Sequence, residues 1–114
     1  MEIAAFLEKL SQTPDQIEFS DTMDAIESKY DFVPAEFSNG DLLNEANENN
    51  GSCKIFAFGL MNSLSKQETL TCFGHYYRED VLEHPENEDH QNIRNFIKSG
   101  WDGIHFKSAS LIEK

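Results

Sequence analysis

The sequence predicts a single helix-rich α+β domain over residues 1–114, with one small antiparallel or mixed sheet made from a short hairpin plus a C-terminal strand. Three observations predict it. Apolar residues recur at helical spacing in separate stretches, beginning with Ile3, Phe6, Leu7 and Leu10. Ser65-Lys66-Gln67-Glu68 is a complete capping box, the reciprocal pairing that starts a helix. Asn39-Gly40, between Phe37 and Leu42, is the commonest kind of two-residue turn between antiparallel strands.

In the first helix Ile3, Phe6, Leu7 and Leu10 form one stripe, with Glu2, Glu8 and Lys9 on the other side. Thr13-Pro14-Asp15-Gln16 offers a capping residue and a proline at the first helical position, so a short turn is expected over 14–17. Ser20 or Asp21 can cap a second helix over 21–30, with Met23, Ile26 and Tyr30 on one face and Phe19 as a hydrophobic staple. Pro34 biases Val33 toward extended geometry, and the turn that follows places a hairpin near 33–45. The polar run Asn47-Glu48-Asn49-Asn50-Gly51 reads as a loop, with Ser52 as the next helix cap.

From Cys53 to Leu64 the apolar residues Ile55, Phe56, Phe58, Leu60, Met61 and Leu64 cover more than one helix face, the pattern of a central helix buried on several sides. Another helix begins at Lys66, with Leu70, Phe73 and Tyr77 inward. Pro85 ends the region of Val81 and Leu82; Asp89 can cap a helix carrying Ile93, Phe96 and Ile97, and Gly100 can end it. After the turn Trp101-Asp102-Gly103, Ile104 and Phe106 alternate with His105 and Lys107 as a half-buried strand that can join the hairpin, and the tail from Ser108 is expected to fray. Phe56, Phe58, Phe73 and Phe96 should share one interior.

A chain of this length suits one core, and no repeat or low-complexity linker divides it. With 21 Asp and Glu against 9 Lys and Arg, the net charge is -12, so neither nucleic acid nor an anionic membrane is an expected partner. The charge is uneven: residues 1–50 carry 12 acidic and 2 basic side chains, and residues 51–114 carry 9 and 7. That acidic half, including Asp21, Asp24 and Glu27, can attract a basic protein, although such an excess commonly just keeps a domain in solution. The two cysteines, Cys53 and Cys72, form neither a disulfide framework nor a zinc spacing, which points to a reducing compartment. The first ten residues lack the basic start of a general-secretion signal, and the longest apolar run, Ile55 to Met61, is far short of the roughly 20 residues that span a bilayer. The glycines lack nucleotide-binding spacing, and no cofactor is implied.

Three strings carry a resemblance: Gly51-Ser52-Cys53-Lys54-Ile55-Phe56-Ala57-Phe58, Cys72-Phe73-Gly74-His75-Tyr76-Tyr77-Arg78-Glu79-Asp80-Val81-Leu82, and Asp89-His90-Gln91-Asn92-Ile93-Arg94-Asn95-Phe96. With Phe19-Ser20-Asp21-Thr22-Met23, Phe37-Ser38-Asn39-Gly40 and Gly100-Trp101-Asp102-Gly103-Ile104, they cover nearly the whole chain. In these strings the sequence resembles HopJ, a bacterial family named after type III secretion effectors. The resemblance implies a protein of the bacterial cytoplasm that can be exported to a host, acting there by binding, with a host protein as partner. It carries over no enzymatic activity, cofactor or catalytic residue.

The densest group of titratable side chains is His75, Tyr76, Tyr77, Arg78, Glu79, Asp80, His84, Asp89 and His90; of these, Tyr76, Tyr77, Arg78, Asp80, His84, Asp89 and His90, with Arg94 and Trp101, are the candidate pocket. His75 and Glu79 share a helix face at i, i+4, and His84, Asp89 or His90 can complete a mixed nitrogen and oxygen set for a divalent cation or for acid–base chemistry. No named metal motif is matched, and Asp89-His90 serves equally as a helix start. Arg78 beside Tyr76 can recognise a carboxylate or phosphate, while Tyr77 continues the Leu70 and Phe73 stripe as a core residue. Trp101 reads as a lid over the core. Cys53, next to Lys54, and Cys72, three residues before His75, have the neighbours a thiolate needs, yet free cysteines among Phe, Leu and Ile are usually buried and inert.

Overall fold

The first apolar stripe forms α1 (Ile3–Gln12), with Phe6 and Leu10 buried, in a computed structural model that describes residues 2–114. A single 3-10 turn, Pro14–Gln16, leads into α2 (Phe19–Lys29), which begins ahead of the expected Ser20 or Asp21 cap. Glu18 takes the cap position, and its amide donates to Asp21 Oδ2 at 3.0 Å, so Asp21 serves the helix start from inside the first turn. The same carboxylate accepts from Lys9 Nζ at 3.1 Å and ties α1 to α2. Partial burial pushes the Asp21 carboxyl up, but the Glu18 amide and Lys9 outweigh it and hold it below the ordinary value.

The strands are short: β1 (Tyr30–Phe32), β2 (Phe37–Asn39), β3 (Leu42–Asn44), β4 (Ile104–Phe106) and β5 (Leu111–Glu113). β2 is central in a three-stranded antiparallel sheet, pairing Phe37 with Asn44 of β3 and with Phe106 of β4. This is the expected hairpin joined by the expected C-terminal strand. Its turn is shifted by one residue: Gly40, at φ +60, and Asp41 make the reversal, and Asn39 ends β2. The fold also holds a second sheet that the sequence did not lead one to expect. β1 pairs antiparallel with β5, Tyr30 opposite Glu113 and Phe32 opposite Leu111, so the tail is a strand and does not fray. Ser110 fixes it: its carbonyl accepts from the Val33 amide at 2.7 Å, its hydroxyl donates to the Val33 carbonyl at 2.9 Å, and Cys53 Sγ lies 3.1 Å from that hydroxyl.

α3 (Asn50–Met61) runs through the centre, with Cys53, Ile55, Phe56, Ala57 and Phe58 buried. It starts and ends three residues earlier than its apolar run, and Leu64 enters the core from the connection to α4 (Lys66–Thr71). The Ser65 capping box forms as expected, with Glu68 N donating to Ser65 Oγ at 3.1 Å and Ser65 N donating to Glu68 Oε1 at 2.8 Å. α5 (Gln91–Ser99) brings Ile93 and Phe96 inward. The Phe56 ring meets Phe37, Phe73, Phe96 and Trp101 at centroid distances of 4.9–6.4 Å, and Phe58 meets Phe6 and Tyr30. Phe56, Phe58, Phe73 and Phe96 therefore share one interior. Both cysteines are buried and free, and burial pushes the Cys72 thiol up to about 12. Among the described residues no helix is long and apolar enough to cross a membrane.

Candidate functional site

The site is set by how α4 ends. Gly74 takes φ +63, and a Cβ there would lie 2.6 Å from the Phe19 amide nitrogen and 3.0 Å from the Glu18 carbonyl carbon. Only glycine lets the chain come this close to the start of α2. Beyond it, Tyr76–Val81 form a widened π turn, closed by the Leu82 amide donating to the Tyr77 carbonyl, five residues back, at 3.1 Å. As neighbours on this turn, the two adjacent tyrosines point different ways. Tyr77 points into the core, its hydroxyl 3.4 Å from Gln67 Nε2, while Tyr76 packs edge-on against Phe19 and lies beside His75 and His90.

Tyr76 borders a cleft of about 470 Å³ between the starts of α3 and α5, within the range of small-molecule sites. Phe19, Leu42, Phe73, Tyr76 and Ile93 supply its apolar surface, and Asn49, Gly51, Ser52, His90, Gln91 and Asn92 its polar one. Buried amides hold the two helix starts in place. Asn92 Oδ1 accepts from Asn39 Nδ2 at 3.0 Å and Asn44 Nδ2 at 3.1 Å, while Asn92 Nδ2 donates to Asn44 Oδ1 at 2.9 Å. Asn49 Nδ2 joins the same oxygen of Asn44 at 2.7 Å, so the Asn49 side chain is turned to the hairpin. Asn49 and His90, the cap residues of α3 and α5, both have left-handed backbones (φ 51), and no side chain caps either helix. First-turn amides of a helix have no partner within it, so both helices present uncapped N–H groups where they border the cleft.

His90 is the one imidazole in the lining. Its Nε2 lies 3.0 Å from Asp80 Oδ2 and 3.8 Å from Asp89 Oδ2. A carboxylate accepts, so this contact assigns a proton to Nε2 and leaves Nδ1 of the neutral ring as an acceptor. Asp89 is itself held by Arg94, whose Nη2 donates to Asp89 Oδ1 at 2.6 Å. That hydrogen bond keeps the Asp89 carboxyl below its ordinary value. Arg94 also reaches the Asp80 and Pro85 carbonyls at 3.4 Å, which leaves it a bracing role around His90.

Of the residues singled out in the sequence, Tyr76 and His90 line the cleft, Asp80 stands behind His90, and Asp89 with Arg94 braces that pair. Tyr77 is in the core. Arg78 is turned to α2, donating from Nη1 to the Ile17 carbonyl at 2.6 Å and from Nη2 to Glu18 Oε1 at 3.0 Å. His75 approaches the other oxygen of Glu18 at 3.4 Å. Glu79 and His84 are exposed and outside the lining. Trp101 packs on Phe56 and Phe96 and donates from Nε1 to the Leu64 carbonyl at 3.0 Å. Among the described residues no three His, Cys, Asp or Glu side chains come together as metal ligands, so His75, Glu79, His84, Asp89 and His90 do not converge on one point. Sequence reasoning missed Asn49, Gly51, Gln91 and Asn92 as lining residues, took Phe19 only as a staple and took Ser52 only as a cap. Their one local signal is Asn49, of a residue type that tolerates left-handed backbone, just before the start of α3.

The model of the HopJ type III effector protein family matches residues 3–111. A solved structure, the crystal structure of the unknown-function protein VPA0580, is 61% identical in sequence and superposes with a TM-score of 0.98, covering 100% of this chain and 95% of that one. No curated protein matches the chain.

Proposed function

Because the chain belongs to the HopJ type III effector protein family, we propose that it works by binding, as an exported effector, and that the cleft between α3 and α5 is where it binds. The observation that carries this reading is the cleft itself: α2, β3, the start of α3, the π turn and the start of α5 each contribute side chains to one recess of about 470 Å³. The partner in a host is a protein, with a side chain or chain end entering the recess. A crystallographic screen with small organic fragments tests the site. Fragments seated against Tyr76, Ser52 and His90 support it, and fragments found only elsewhere on the surface overturn it. Export is tested separately, by a translocation reporter fused to the chain in bacteria with and without a working type III apparatus.

The 3.0 Å contact between His90 Nε2 and Asp80 favours a second reading, in which His90 accepts a proton from a bound substrate. Turnover abolished by both His90→Gln and Asp80→Asn, with the fold retained, would distinguish an enzyme from a binding protein.

A further inference from the structure

Resting on the reading of this recess as a binding site, we propose that it takes a carboxylate carried on a ring-sized apolar group, either a free small acid or the C-terminal residue of a peptide. The lining divides into two chemistries. Phe19, Phe73, Tyr76, Leu42 and Ile93 suit a flat apolar body, and the Phe19 and Tyr76 rings are already held edge to face at 5.2 Å. The rest of the lining offers donors: the Ser52 hydroxyl and the uncapped first turns of α3 and α5.

Charge argues for the same ligand. In a chain with 21 acidic residues, the lining of this cleft contains no carboxylate. The two nearest to its imidazole are already engaged, Asp80 by His90 and Asp89 by Arg94. A cationic ligand would find no counter-charge in the lining. A phosphate dianion would find no Lys or Arg there either, and would meet the repulsion of a -12 protein twice over. A single negative charge, met by several neutral donors and screened from distant carboxylates beyond about 8 Å at physiological salt, fits best.

The test uses two pairs of probes in amide-detected NMR titrations of the full chain: phenylacetate with benzylamine, and acetyl-Ala-Phe with a free C-terminus with the same dipeptide amidated. The expected result is saturable shifts at Gly51, Ser52, Gln91 and Asn92 with one or both acids, and at least about tenfold weaker binding of the amidated peptide and the amine. Tighter binding by the free-ended peptide assigns the source to a chain terminus, and tighter binding by phenylacetate to a small acid. Ser52→Asp and Gln91→Asp place a carboxylate in the first turn of each helix, where it favours folding but repels the ligand. Each should keep or raise the melting temperature while weakening the acids about tenfold or more. Equal binding of amide or amine in the cleft overturns the carboxylate assignment and leaves the binding site standing. Shifts at none of the four amides with any probe overturn both.

Discussion

Replacing Gly74 with alanine probes the close approach on which the cleft depends. Two costs add. Left-handed backbone at φ +63 costs an L side chain about 1–2 kcal/mol. The new Cβ would sit 2.6 Å from the Phe19 nitrogen, where ordinary contact starts at 3.4 Å, so α2 and the π turn must separate by the difference, 0.8 Å. The obstacles are backbone atoms of Glu18 and Phe19, which cannot swing aside, and overpacking of this kind costs about 1–3 kcal/mol more. The sum, about 2–5 kcal/mol, is a large part of the stability of a small domain. Gly40→Ala is the matched control. It has the same backbone sign, φ +60, but its nearest neighbour is the mobile Ser99 hydroxyl at 3.1 Å, so it should lose only the first cost. Urea unfolding followed by far-UV circular dichroism and by the fluorescence of Trp101, the single tryptophan, measures both. Equal losses for the two variants would refute the claim that backbone contact at Gly74 positions Tyr76.

Phe56→Ala, which empties the centre of four ring contacts, should cost about 3–5 kcal/mol by the same assay. Asn92→Ala leaves Asn44 Nδ2 without its partner, while Asn39 Nδ2 keeps the Asn92 backbone carbonyl at 2.8 Å and Asn44 Oδ1 keeps Asn49; with about 1–3 kcal/mol lost for a buried group left unpaired, it should destabilise the domain and speed amide exchange in the hairpin. Asp21→Asn should show a pH signature. Because the folded carboxyl lies below its unfolded value of 3.8, its stabilisation is complete above that value and is lost as pH falls through the folded one. The gap in urea midpoint between wild type and variant should therefore be constant near neutral pH and narrow below about pH 4. Neither cysteine should react with iodoacetamide at pH 8 in the folded protein, and both should react in urea, as mass spectrometry would show.

Elements with a local cause could be read from the chain. The stripe of α1, the Ser65–Glu68 box and the reversal after Asn39 each act within a few residues, and each stands where expected, give or take a residue or two. The π turn could not be read. Tyr77 keeps a helical stripe with Leu70 and Phe73, and nothing in that spacing reveals that the helix breaks at Gly74 and resumes in a wider register. β5 escaped for a different reason: three residues are too few for a period, and its partner lies far back in the sequence. The cleft was half visible. Its titratable residues, Tyr76 and His90, and the Asp80 behind His90, lie close in sequence and stand out, whereas Asn49, Ser52 and Phe19 join them only through the fold.

The clasp between β1 and β5 orders the birth of this protein. A ribosome that has made α1, α2 and β1 holds a strand with no mate, and the exposed edge of Tyr30–Phe32 must wait until Leu111–Glu113 emerges. Until then Cys53 and Val33 also lack the Ser110 that later seals them. A nascent chain stalled before Leu111 would thus expose an open, partly greasy seam, the kind of surface that holdase chaperones grip.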